Sequence, residues 1–113
     1  MEEFFASLEK YGFVKSEVMK RFVDDEEFYK DCYVQVLEDE SFEDLDLLLK
    51  KDDKKEAFDC AHGLKGLLAN IGMMVLFDKT SEIVEVLRGT REGDTQELYS
   101  QLIALRNECL KLL

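Results

Sequence analysis

The sequence contains no proline, and its six glycines fall at only a few places. It also lacks the alternation of apolar and polar residues that is typical of strands. Leu, Glu, Lys and Asp dominate instead, and apolar residues recur at three- and four-residue spacing. These features together predict an all-α fold.

Positive charge is the second shortage. The chain has 15 Lys and Arg against 26 Asp and Glu, which gives a formal net charge of -11 at pH 7. Such a protein repels a phosphate backbone and an anionic lipid surface, so binding to nucleic acid or to a membrane is not expected. No apolar run approaches the roughly 18 residues of a membrane span, and the N-terminus lacks a leader pattern. We expect a cytoplasmic protein.

Histidine and cysteine, which bind zinc and act as bases or nucleophiles in many enzymes, are also scarce. The chain has one histidine, His62, and three separated cysteines, Cys32, Cys60 and Cys109. These thiols fit no CxxC pattern and are expected to be reduced and mostly buried. No zinc-ligand spacing or EF-hand loop is present, so no metal site is expected. Because there is no phosphate-binding glycine loop, no kinase or ATP-binding segment and no second catalytic group, an autonomous enzyme is not expected either.

The length of 113 residues suits one domain with a single core, and no repeat or linker divides the chain. We therefore predict one domain over residues 1–113. Apolar spacing predicts a short helix over residues 2–10, another near 16–23, and longer helices near 25–37, 42–49, 54–71, 73–88 and 95–112.

Capping residues mark the ends of these helices. The predicted N-caps are Ser16, Asp53 and Asp94, with Asp24 or Asp25 before the third helix. Gly72 fits the left-handed residue just past a helix end, and Gly89 is predicted to stop the following helix.

A break is predicted in the middle of the chain. On one straight helix, the apolar stripes of residues 28–37 and 42–49 would point in roughly opposite directions. Ser41-Phe-Glu-Asp44 also matches a capping box. We expect a break or kink near residues 39–41, with a single bent helix as the alternative. Short loops between helices of similar length favour an antiparallel up-down bundle.

The single histidine lies on the wrong side of its helix to be a core residue. The apolar stripe of the helix over 54–71 consists of Ala57, Cys60, Ala61, Leu64, Leu67, Leu68 and Ile71. At about 100° per residue, His62 lies roughly opposite the centre of this stripe. It should project into solvent, and its neighbours on the helical wheel are Phe58, Lys65, Gly66 and Ala69.

Two glycines lie in the same helix, where each costs roughly 1 kcal/mol against alanine. A side chain at Gly66, one turn above His62, would crowd the imidazole, whereas Lys65 offers an ammonium group close to it. A largely neutral imidazole, an open approach and one cation suit a phosphoryl acceptor. The ordinary explanations are a functionless surface histidine, a solvated lysine, and glycines at packing contacts, Gly63 included.

The stretch His-Gly-Leu-Lys-Gly over residues 62–66, followed by Gly72, resembles the signature of histidine-containing phosphotransfer (HPt) domains. That signature is His, any residue, Leu, Lys and Gly, then a glycine six residues later, and every position matches. The flanking helices and turns fall where the family has them, so the resemblance covers roughly residues 17–112. The sequence departs from the family at Leu67 and Leu68, where small residues are common; Leu68 is on the core stripe and Leu67 is nearer its edge.

The resemblance implies an antiparallel up-down four-helix bundle with short extra N-terminal helices. It implies that His62 accepts a phosphoryl group, that Lys65 stabilises the phosphate, and that Gly66 gives a partner steric access. Residues placed on the docking face by position are Phe58, Gly63 and Ala69.

The resemblance also implies the partners of a two-component phosphorelay, namely a response-regulator receiver domain, a histidine kinase, or both. The receiver would supply Mg²⁺, so no cofactor of the chain itself is implied. The chain would be a monomeric phosphoryl carrier. The alternative is a helical adaptor without chemistry that uses the face of Phe58 and Ala69.

Overall fold

The computed structural model describes all 113 residues and is built from helices alone. The α-helices are α1 (Glu2–Leu8), α2 (Lys15–Val18), α3 (Glu26–Leu37), α4 (Ser41–Lys50), α5 (Lys54–Asn70), α6 (Met74–Arg88) and α7 (Thr95–Leu110). Two 3₁₀ turns, Glu9–Tyr11 and Met19–Phe22, continue α1 and α2. The all-α prediction is confirmed, and no helix is both long enough and apolar enough to cross a membrane.

Helices α4, α5, α6 and α7 form a four-helix bundle. Each packs against the next, and α7 returns to pack against α4. The connections over residues 51–53, 71–73 and 89–94 are short, so successive helices run antiparallel. The molecule measures 41 × 23 × 20 Å, and one cluster of 26 buried side chains joins the N-terminal helices to the bundle. The predicted bundle with extra N-terminal helices is confirmed.

Several helix ends follow from local sequence. The carboxylates of Asp25, Asp53 and Asp94 each accept a backbone N–H from the first turn of α3, α5 and α7. Gly72 and Gly89 have φ angles of +77° and +88°, which glycine adopts without strain. These predicted caps and stops are confirmed.

The predicted cap at Ser16 is wrong. Helix α2 begins at Lys15, follows an extended Val14, and has no side-chain cap. The Lys15 ammonium pairs with Glu26 at 2.9 Å and lies 4.6 Å from the ring centroid of Phe5. Contacts with distant parts of the chain therefore hold the start of this short helix.

The break between α3 and α4 is confirmed, but the capping box is not. Ser41 is the first residue of α4, and its backbone N–H donates to the Asp39 carboxylate at 2.9 Å. From α7, Arg106 donates to the Leu37 carbonyl at 2.8 Å, and the Tyr99 hydroxyl donates to the Phe42 carbonyl at 2.7 Å. The first of these two bonds satisfies a carbonyl that the end of α3 leaves free, and the second ties the first turn of α4 to α7.

The end of the molecule that carries the N-terminus is packed with aromatic rings. Six rings lie with neighbouring centroids 5.1 to 6.0 Å apart: Phe4, Phe5, Phe13, Phe22, Tyr29 and Tyr33. The Tyr29 hydroxyl donates to the Ile71 carbonyl and the Tyr33 hydroxyl to the Cys109 carbonyl, both at 2.7 Å. The N-terminal helices and α3 are thereby tied to the ends of α5 and α7.

Not all apolar positions at this end are buried. Val23 and Phe28, which the apolar spacing places on helix stripes, are 80% and 47% exposed. The backbone of Val23 is left-handed, with φ +48°, which ends the second 3₁₀ turn and directs the side chain outward.

Of the three thiols, Cys109 is buried, whereas Cys32 and Cys60 are partly buried.

Candidate functional site

The two sides of α5 differ sharply in exposure. Asp53 caps the helix, and the side chains that face the bundle are at most 1% exposed: Ala57, Ala61, Leu64 and Leu68. His62, Gly63 and Gly66 lie on the exposed side. The helical wheel thus places His62 correctly, because the stripe that fills the core leaves this side of α5 to solvent.

The His62 imidazole is held by packing alone. It takes no part in the side-chain hydrogen bonds within the chain. Its ring lies nearly parallel to that of Phe58, one turn earlier, with centroids 5.9 Å apart and an interplanar angle of 16°. Both ring nitrogens are therefore free to bind a group that approaches from solvent.

Gly63 and Gly66 serve no packing purpose. A Cβ atom built on either residue would meet no neighbouring heavy atom within 4 Å. Either position would accept alanine without a clash, and alanine would be favoured in a helix by about 1 kcal/mol. The packing explanation for these glycines is thus excluded, and the surface beside His62 is open.

Lys65 is less free than its position on the wheel indicates. Its ammonium group lies 5.4 Å from the ring centroid of Phe77 on α6, and the residue is half-buried. A partly exposed contact of this kind is worth only about 0.5–1 kcal/mol. This contact is weak enough for an anionic group bound beside Lys65 to draw the ammonium away from Phe77.

Sequence reasoning did not identify Arg88 as part of this surface. Its guanidinium lies 5.4 Å from the ring centroid of Phe58 and 3.5 Å from the carboxylate of Glu85. The signal that could have identified Arg88 is the antiparallel pairing of α5 and α6, which brings the last turn of α6 beside the early turns of α5.

The charge of Glu85 is also stabilised at this surface. A hydrogen bond from Thr90 lowers the pKa of Glu85, and the charges of Arg88 and Lys65 act in the same direction.

The far end of this face meets the N-terminal segment. Ala69 is half-buried, and its carbonyl accepts a hydrogen bond from Arg21 at 3.2 Å. The same guanidinium nitrogen donates to the Asn70 carbonyl at 3.0 Å. Arg21 thus satisfies carbonyls at the C-terminus of α5, where a cation is also favoured by the helix dipole.

The remaining candidate residues are placed as follows. Leu68 is buried and Leu67 is 37% exposed, as their positions on the apolar stripe predict. The Cys60 thiol lies 3.4 Å from the Ser41 carbonyl, and burial raises its pKa, so this thiol packs α5 against α4. No group of three His, Cys, Asp or Glu side chains is arranged to hold a metal ion.

Comparison with known proteins identifies the family. The family model of the Hpt domain matches residues 33–113, which is well over half of the chain. No curated protein and no solved structure gives a significant match. The match begins within α3 and includes the whole of α5 with its His-Gly-Leu-Lys-Gly motif. This chain therefore belongs to the Hpt domain family.

Proposed function

We propose that this protein carries a phosphoryl group on His62 between aspartates of receiver domains in a two-component phosphorelay. The observation that carries the proposal is the surface around His62. The family motif falls on the exposed side of α5, and two glycines leave the approach to the imidazole open. A histidine kinase is the other candidate donor.

The proposed transfer needs little from this chain beyond a well-placed nucleophile. The lone pair of one His62 ring nitrogen forms a bond to phosphorus while the bond between phosphorus and the receiver's aspartate oxygen breaks. The aspartate leaves as a carboxylate with the bonding electrons, and the proton on the other ring nitrogen stays in place. The reverse step returns the phosphoryl group to an aspartate. The receiver supplies the Mg²⁺ in this proposal, and His62 contributes proximity and orientation.

Lys65 and Gly66 take distinct roles in the proposal. The Lys65 ammonium leaves its contact with Phe77 and pairs with the phosphoryl oxygens, where its charge offsets theirs. Gly66 keeps the space above the imidazole empty, so that the receiver's active site can reach the ring. Both roles belong to a carrier rather than to an autonomous enzyme.

The docking face in this proposal comprises Phe58, Gly63 and Ala69 around His62. Phe58 and Ala69 are half-buried and Gly63 is exposed, so the centre of the face is small and apolar. The charged groups of Lys65 and Arg88 lie beside it. A small apolar centre with charges at its edge suits brief, weak docking, which a carrier needs in order to release its partner.

The first test is transfer from a set of labelled phospho-receiver domains to the wild type and to His62→Gln. We expect acid-labile, base-stable label on the wild type alone. Label on His62→Gln would contradict the assignment of the acceptor. Receivers that bind the wild type but never label it would favour the adaptor function, in which the same face binds partners without chemistry.

A further inference from the structure

We propose that Phe58 is a positioning residue, which fixes the orientation of the His62 imidazole, and that Arg88 in turn holds Phe58 in place. The inference rests on the proposed function and deepens it, since the orientation of the ring matters only if His62 accepts the phosphoryl group. It gives Phe58 a task within the chain, in addition to its place on the docking face.

The helix alone does not fix the orientation of an exposed imidazole ring. The helix backbone restricts χ1 to few rotamers, but rotation about χ2 meets only broad, shallow minima. That rotation changes the direction in which each ring nitrogen points. In many proteins a hydrogen bond to one nitrogen fixes the ring. His62 has no such bond within the chain, so only a packing contact can limit the rotation.

The ring of Phe58 provides that contact. The two rings are stacked with an interplanar angle of 16° and a centroid distance of 5.9 Å. Offset parallel stacking is a favoured arrangement of aromatic rings. Rotation of His62 about χ2 would tilt the imidazole out of this arrangement. The stack therefore biases the ring towards one orientation before a partner arrives, which lowers the entropic cost of reaching the transferring phosphorus.

Phe58 can do this because it is itself held on both sides. Its ring packs against the buried core, and the Arg88 guanidinium lies 5.4 Å from its centroid. Arg88 is in turn 3.5 Å from Glu85, one turn earlier on α6. Lys65 lies over a different ring, Phe77, so the two cations of this surface have separate aromatic partners. Arg88 supports the stack while Lys65 remains available for the phosphoryl group.

The structural part of the inference can be tested on the free protein. His62 is the only histidine, so its two carbon-bound ring protons are identified without assignment of other residues. In the wild type, the ring current of Phe58 should shift these NMR signals upfield. Phe58→Leu should move them towards the values of an unstacked histidine, Phe58→Tyr should retain the shift, and Arg88→Met should reduce it. Phe77→Leu is the matched control, since it removes the ring under Lys65 and should leave the His62 signals unchanged.

The kinetic part uses transfer from a phospho-receiver. Phe58→Leu keeps an apolar side chain on the docking face, so we expect it to lower the rate constant of transfer at saturating receiver about 3- to 10-fold with little change in the half-saturating receiver concentration. Phe58→Tyr should restore the rate constant. A raised half-saturating concentration with an unchanged rate constant would mean that Phe58 serves docking alone and would overturn the inference. Unchanged ring-proton shifts in Phe58→Leu would overturn it as well. A wild type that accepts no label would instead remove the proposed function, and the NMR result tells the two failures apart.

Discussion

Two pairs of glycines in this chain are present for opposite reasons. Gly12 and Gly72 have φ angles of +86° and +77°, and a Cβ atom on them would collide with Met74 and Val18, respectively. Gly63 and Gly66 have ordinary helical backbones, and a Cβ atom on either would meet nothing within 4 Å. The first pair lies where the N-terminal segment packs against the turn between α5 and α6. The second lies on the open side of α5.

This difference separates what the fold requires from what it tolerates. The missing Cβ lets Met74 lie close to the backbone of Gly12 and lets the Val18 side chain lie close to the backbone of Gly72, so the fold requires both glycines. The second pair lowers the stability of α5 and gains no contact in return. A feature that costs stability without a structural benefit is a candidate for function, and the proposed access to His62 is such a function.

The largest effect on stability is expected for Gly72→Ala. Alanine at this position would have to adopt a left-handed backbone, and its methyl group would collide with Val18. We expect a loss of about 2–4 kcal/mol in the free energy of unfolding, measured by urea denaturation. Gly89→Ala is the matched control, because it has a φ of +88° but nothing within 4 Å, and should cost only about 1 kcal/mol. Equal losses in the two variants would show that the contact with Val18 is unimportant.

The largest effect on transfer, after loss of His62 itself, is expected for Gly66→Gln. The side chain would occupy the empty space one turn above the imidazole and leave the core untouched. Transfer from a phospho-receiver should slow about 10- to 100-fold, while the midpoint of thermal unfolding stays the same or rises. Gly66→Ala separates obstruction from helix rigidity, since it stiffens α5 equally but adds only a methyl group. If Gly66→Gln transferred at the wild-type rate, the access role of this glycine would be refuted.

Buried tyrosines at the N-terminal end of the molecule should make the stability of the fold depend on pH. Burial raises the pKa of Tyr29 above its ordinary value of 10, and it raises the pKa of Tyr11 to about 12. Above pH 10 the unfolded chain loses phenolic protons that the folded chain keeps, so stability must fall as pH rises. Each such tyrosine contributes about 1.4 kcal/mol per pH unit to this fall.

Tyr29→Phe removes one of these groups. It loses the hydrogen bond to Ile71 at neutral pH, but its stability should fall less steeply than that of the wild type above pH 10, by about 1.4 kcal/mol per unit. Urea denaturation between pH 9 and 11.5 measures both slopes. Parallel slopes would mean that Tyr29 ionises as readily in the folded protein as in the unfolded chain.

Local sequence predicted most of the fold. Asp25, Asp53 and Asp94 cap helices because an N-cap carboxylate needs only the backbone three residues ahead. The predicted caps at Ser16 and Ser41 are wrong for different reasons. The start of α2 is held by contacts outside the helix, such as the pair of Lys15 with Glu26, which no local pattern reports. At the start of α4 the Asp39 carboxylate, two residues earlier, accepts the backbone N–H of Ser41.

At the candidate site, too, the features that depend on α5 alone could be predicted, and those that depend on a second helix could not. The exposure of His62 and its contact with Phe58 follow from helical periodicity within α5. The contacts of Arg88 with Phe58 and of Lys65 with Phe77 depend on how α6 lies against α5, which one helical wheel does not describe. The empty space at Gly66 also needed coordinates, because a glycine in a sequence is equally consistent with close packing and with open access.

The smallest effect on transfer is expected for Gly63→Ala, which tests whether the two glycines of α5 have separate roles. Gly63 is about 100° from His62 around the helix, whereas Gly66 is about 40° from it and one turn above. The added methyl group meets nothing, so stability should rise by up to about 1 kcal/mol. Because Gly63 is proposed for the docking face and not for the approach to the ring, transfer should change less than about threefold. A loss as large as that of Gly66→Gln would place Gly63 in the approach itself, and the two glycines would then share one role.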